Sequence, residues 1–207
     1  MAIETYSELK TSIADFLNRD DRTSVIPTFI SLAEAQINRD VRHWQMENRA
    51  SATIDSQYLT RPGDWVETIR LHLTSNGTRS LDLLSAQAMA DKRQGAEDAT
   101  GIPRYYRHSE NQFELYPSPD GSYGAELLYY QKIPALSDSN TSNWLLSDYP
   151  DVYLYGALTH SSPYLAEDAR IAVWAQLYSA AVARVNQTSE DSVYSGSGLT
   201  MKIRGLG

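Results

Sequence analysis

No cysteine occurs in the 207 residues, which removes disulfides and thiolate metal sites from consideration. Phenylalanine is nearly missing, at three residues. No apolar run approaches the roughly 20 residues a membrane-spanning helix needs. The opening Met1-Ala2-Ile3-Glu4-Thr5 has neither a basic nor an apolar signal region, so no secretory leader is expected. The Asn-x-Ser/Thr triplets at Asn76, Asn140 and Asn186 are therefore read as chance matches. Positive charge is also short: 18 Lys and Arg face 26 Asp and Glu, a net charge of −8. The cations form no cluster, and residues 133–169 carry the acids Asp138, Asp148, Asp151, Glu167 and Asp168 with no Lys or Arg. A protein that grips nucleic acid replaces phosphate counterions with clustered Lys and Arg, so tight DNA binding is not expected.

What is present describes a globular chain. Hydrophobic residues make up 42% and charged residues 21%, enough to bury a core. Tyrosine is abundant, at 14 residues. Its large ring and polar tip suit a wet interface between subunits as well as an ordinary core.

The hydrophobic period changes twice along the chain. Thr5-Tyr6-Ser7-Glu8 fits a capping box, and Leu9, Ile13, Phe16 and Leu17 follow at helical spacing, predicting a helix over 5–18. Pro27 suits the first turn of a second helix, whose apolar stripe runs through Phe29, Leu32, Ala33, Ile37, Val41 and Trp44 and predicts 25–47. From Arg49 the pattern becomes alternating. Ile69, Leu71 and Leu73 read as a strand, Asn76-Gly77 as a hairpin turn, and Leu81 and Leu83 as the return strand. Ser85 is placed to cap a short helix over 86–94. Further strands are predicted over 105–108, 112–115 and 125–133, with a turn at Pro117-Ser118-Pro119-Asp120-Gly121. Helices return near Pro150. In the last of them Ile171, Trp174, Tyr178, Ala181 and Val185 form a seam at spacings of 3, 4, 3 and 4, either a plain core stripe or a subunit or bundle interface. Finally Leu199, Met201 and Ile203 alternate with Thr200, Lys202 and Arg204 after a Gly- and Ser-containing leash. That is a short strand pattern with no partner strand near it in sequence.

These readings predict an α+β fold: a helical bundle built from N- and C-terminal helices, a β-rich insert and an extended C-terminal tail. The expected divisions are 1–48 for an N-terminal helical hairpin, 49–134 for the insert, 135–187 for the C-terminal helices and 188–207 for the tail. A search for chemistry finds little. Ser7-x-x-Lys10 matches a nucleophile pattern without its companion motifs. His43, His72, His108 and His160 are scattered, which does not suggest a metal site. No nucleotide-binding loop is present. No catalytic residue, cofactor or metal is expected. A pair of carboxylates is all a glycosidase needs, so a wall-cleaving hydrolase stands as the alternative.

A resemblance organises these pieces. Thr5-Tyr6-Ser7-Glu8-Leu9-Lys10 and the helix segment Ala33-Glu34-Ala35-Gln36-Ile37-Asn38-Arg39-Asp40 resemble the head–tail adaptor family of tailed bacteriophages. So do Arg61-Pro62-Gly63-Asp64-Trp65, the strand exit Tyr129-Tyr130-Gln131-Lys132-Ile133-Pro134-Ala135-Leu136, Asn143-Trp144-Leu145-Leu146, and the stretch from Asp151 through Gly156 to Leu158. The resemblance covers nearly the whole chain in order. It implies a structural virion protein at the head–tail interface, assembled in the host cytoplasm. It implies a ring of twelve copies under the portal protein that extends the DNA channel and offers a platform to tail or nozzle proteins. DNA would pass without specific binding, and no membrane is involved. Within that picture Asp138, Asp148 and Asp151 are candidates to face the channel. The tail residues Leu199, Met201, Ile203, Lys202 and Arg204 are candidates to dock on the portal or a neighbouring copy. Some related adaptors are credited with wall hydrolysis, and a peptidoglycan hydrolase acting during phage entry is the alternative function. No residue of this sequence matches a motif that would carry it.

Overall fold

The helical period of the first forty residues closes into two helices, α1 over Tyr6–Leu17 and α2 over Ile26–Asp40, in the computed structural model of the chain. The structure describes residues 3–18, 24–75, 77–94, 96, 99–161 and 170–194. By its contacts the chain divides into two units, residues 1–45 with 133–207, and residues 46–132.

In the first unit, α1 begins with a complete capping box. The Glu8 N–H donates to Thr5 Oγ1 at 3.3 Å, and the Thr5 N–H donates to Glu8 Oε2 at 2.9 Å. Its end is set by Asn18 in the left-handed region, at φ 52°. α4 spans Trp144–Asp148, α5 spans Pro150–Thr159 and α6 spans Arg170–Tyr194. α5 is apolar nearly all round, with Val152, Tyr153, Leu154, Gly156, Ala157 and Leu158 buried, and it packs against α1, α2, α4 and α6. A helix without a polar face belongs at the centre of its unit.

α2 stops seven residues short of the predicted end. The Val41 N–H still donates to Ile37, but Val41 is extended and Trp44–Met46 form a 3₁₀ turn. The cause lies on α6. Asn186 donates to the Asp40 carbonyl at 3.0 Å and accepts from the Arg42 N–H at 2.9 Å, and Ser189 Oγ accepts from the Trp44 N–H at 2.9 Å. These side chains satisfy backbone groups that a helix would otherwise hold, so the chain can leave the helix without orphaned groups. An Asn186→Ala variant is expected to lose about 1.5 kcal/mol. An unchanged denaturant midpoint would contradict this account of where α2 ends.

The second unit is built from eight strands: β1 Glu47–Ile54, β2 Tyr58–Thr60, β3 Trp65–Leu73, β4 Arg79–Ser80, β5 Asp82–Leu83, β6 Tyr105–Ser109, β7 Gln112–Tyr116 and β8 Tyr123–Gln131. One sheet has the order β1-β8-β3-β4 and the other β2-β7-β6-β5. All neighbours are antiparallel except β5 and β6. A single apolar cluster draws on both sheets. Ile54, Leu71, Leu73, Ala125, Leu127 and Tyr129 come from the first, and Tyr106, Phe113 and Leu115 from the second. α3, over Ala86–Arg93, lies between β5 and β6 in the chain, and Ser85 Oγ caps it by accepting the Ala88 N–H at 3.2 Å.

Three expectations are corrected here. The description as a helical bundle with a β-rich insert does not hold. The fold is a β-rich α+β fold of two four-stranded sheets and, among the described residues, six helices, one of which follows the strands rather than the chain ends. The strands carry a two-sheet core of their own, which an appendage to a bundle would not need. The second correction concerns Leu83: β4 returns along β3 and the Leu81 N–H still donates to the Leu71 carbonyl at 2.9 Å, but Leu83 leaves that strand. β4 ends at Ser80, Leu81 is buried, and β5 joins the other sheet beside β6, leaving Leu83 54% exposed. The extended tail expected over 188–207 does not begin at 188, because α6 runs on to Tyr194, and 195–207 lie outside the described residues.

Candidate assembly surfaces

The structure disperses the sequence-derived candidates. In the α6 seam Trp174, Tyr178, Ala181 and Val185 are buried and Ile171 is half-buried. The seam is used within its own unit. The Tyr178 hydroxyl donates to Asp40 Oδ2 at 2.9 Å, and burial pushes its pKa up. A separate face of the same helix stays open, with Val173 at 53% and Leu177 at 40% exposure.

The three acids have different surroundings. Asp138 is 89% exposed and pairs with Lys10 at 3.0 Å. Asp151 lies in the first turn of α5, where the helix dipole favours a negative charge, and accepts the Val152 N–H. Asp148 is exposed at the end of α4 and acts electrostatically on His43. Leu199, Met201, Lys202, Ile203 and Arg204 lie outside the described residues.

His43 is buried, stacked on Trp144 at 4.9 Å between ring centres, with Trp44 and Tyr149 beside it. Its Nδ1 accepts the Gln45 N–H at 3.3 Å. Burial holds its pKa below the ordinary 6.5, with Asp148 acting in the opposite direction. The unfolded chain therefore takes up the proton first as pH falls. The stability contributed by neutral His43 is complete above about pH 6.5 and is lost as pH drops through that value toward the depressed one. Burial depresses His108 and His160 in the same direction. Stability is expected to decline as pH falls below about 6.5, and a His43→Phe variant should show a shallower decline. Equal slopes in the two proteins would contradict it.

The second unit contains a buried charge cluster that sequence reading missed. Glu114, 1% exposed, forms an ion pair with Arg93 Nη1 at 2.6 Å and accepts hydrogen bonds from Arg107 Nε and from Gln57 Nε2, the latter at 3.3 Å. It forms part of an open cleft of about 530 Å³ lined also by Ala86, Met89 and Ala90 of α3 and by Gln94 just after the helix. Both carboxylate oxygens are engaged by cations, which does not suit a free acid or base for bond cleavage. Glu34, the acid whose pKa burial raises, accepts the Leu136 N–H at 2.7 Å. Nor is Lys10 arranged as a base for Ser7, because its ammonium is taken up by Asp138 and by the Tyr6 ring at 4.3 Å. Among the described residues no group of three or more His, Cys, Asp or Glu is arranged to hold a metal.

Cations separated in sequence also meet in space. Arg79 and Arg104 line a small cleft with Ser80, Asp82 and Tyr105, and Lys92 sits over the Tyr105 ring at 4.9 Å. The parallel pairing of β5 with β6 brings them together, and no local spacing announces it. The patch contains its own Asp82, which offsets one of the three cations.

No curated protein matches the chain. A family model described as SU10 adaptor protein matches residues 4–201, nearly the whole length. The chain belongs to the SU10 adaptor protein family, a family of phage head–tail adaptors.

Proposed function

We propose that this chain is one subunit of a ring of twelve that sits under the portal of a tailed phage, extends the DNA channel and gives tail proteins a docking platform. The observation that carries this reading is family membership across residues 4–201, which spans both structural units. As a phage adaptor the protein is a structural component of the virion. Ring formation, portal binding and assembly in the host cytoplasm before tail joining are the finer parts of the proposal.

Charge supports a channel role over a gripping role. The net charge of −8 repels a phosphate backbone, and a passage lined by such a surface lets DNA slide. Purified protein is expected to bind duplex DNA with a Kd of about 10 µM or weaker at physiological salt. A submicromolar, salt-steep affinity would count against the reading. The decisive experiment is native mass measurement of the chain alone and with portal rings. One adaptor per portal subunit is the expected result, and a chain that remains monomeric with and without portal overturns the proposal.

A further inference from the structure

Among the described residues the two sheets have four edge strands. β2, β4 and β5 are three, two and two residues long, lengths that blunt an edge against further pairing. β1 is eight residues long, contains no proline and pairs only with β8. The Arg49 N–H donates to Asn48 Oδ1 at 2.8 Å, which places the backbone groups of the odd positions on the open side. Ser51 and Thr53 continue that side, and both are exposed.

The even positions face the apolar cluster. Ile54 is buried in it and Ala50 packs against it, while Ala52 between them is exposed. The margin of the cluster is thus covered on this edge by two methyl groups. Large side chains at a period of two on an added strand would fit beside them. The other face of the same edge carries Glu47 and Arg49, and Glu126 of β8, opposite Ser51, is already paired with Arg49 at 3.5 Å.

The segment 199–204 matches this edge on its apolar face. Leu199, Met201 and Ile203 supply large apolar groups at alternate positions, and Lys202 and Arg204 supply positive charge on the opposite face. We propose that residues 199–204 of one copy add as a strand to the β1 edge of a second copy, with the three apolar side chains beside Ala50 and Ala52. This rests on the ring reading. In a closed ring each copy brings one edge and one tail, so a heterologous pairing fills every edge and leaves no tail over. Main-chain bonds supply the affinity, and the alternating side chains set the register.

The natural absence of cysteine gives a clean test. Facing residues of paired strands lie about 5 Å apart at Cα, within disulfide reach. The full-length double variant Ala52→Cys, Met201→Cys and its neighbour Ala50→Cys, Met201→Cys are oxidised mildly after ring assembly with the portal. A ladder of covalent multimers on a non-reducing gel is the expected result, with Glu110→Cys, Met201→Cys giving none. Rings that cross-link only within single chains, or not at all, overturn the proposal and leave the ring reading intact. Wild-type protein that never forms rings overturns both. A second variant, Ser51→Pro, removes an outward N–H and leaves the ladder to β8. It should fold normally and raise the concentration needed for ring assembly at least tenfold. Assembly at the wild-type concentration would overturn the pairing.

Discussion

A Glu114→Leu variant is expected to lose about 3 kcal/mol of stability. The carboxylate is 1% exposed and is the shared partner of Arg93 and Arg107, whose side chains are 23% and 30% exposed. Removing it leaves two guanidinium groups close together with no counter-charge, and they keep only part of their access to water. Breaking a buried pair from one side usually costs about 3–5 kcal/mol, and the lower end applies because both arginines can turn outward. The comparison variant is Arg49→Ala. It breaks a 3.5 Å pair with Glu126 in which Arg49 is 67% exposed. Such a surface pair contributes less than about 1 kcal/mol. Neutralising the whole cluster, with Arg93→Met and Arg107→Met added to Glu114→Leu, should recover much of the loss, since apolar packing often replaces a buried ion network without cost. Denaturant titrations of the variants check this. A Glu114→Leu midpoint close to that of Arg49→Ala would mean the cluster is not a buried network.

Helix starts were legible because they are local. The capping box at Thr5 and Glu8, the proline at the start of α2 and the Ser85 cap each lie within four residues of what they determine. The end of α2 was not legible, because its determinants, Asn186 and Ser189, lie far away on α6. Val41 and Trp44 continue the helical apolar stripe, yet Trp44 ends 48% exposed in the 3₁₀ turn. The expectation for Leu83 failed for a related reason, since it pairs in the other sheet. Alternation shows that a segment is extended but does not say which sheet accepts it. Glu114 is harder still. A charged residue between Phe113 and Leu115 reads as the solvent face of a strand, and only the arrival of Arg93 from α3 and Arg107 from β6 makes its burial tolerable.

The second large effect is expected at Gly156, where a valine should lose about 3 kcal/mol. A Cβ built at this position would lie 3.3 Å from Ala33 Cβ of α2 and 3.3 Å from Cε2 of Tyr178 on α6. The missing side chain therefore lets three helices approach at one point. Neither neighbour yields easily: Ala33 has 0% exposure, and Tyr178 is fixed by its hydrogen bond to Asp40. Alanine separates the two opposing effects. It gains about 1 kcal/mol of helix propensity over glycine and meets contacts only a few tenths of an ångström too close, so its net effect should be within about 1 kcal/mol of zero. Valine adds two further methyl groups that find no space, and α5, which packs against four other helices, has no free direction in which to move. The expected order in thermal unfolding is wild type and Gly156→Ala close together, with Gly156→Val well below both. Hydrogen exchange should quicken first in α5 of the valine variant. A valine tolerated as well as alanine would show that the three helices do not meet at this position.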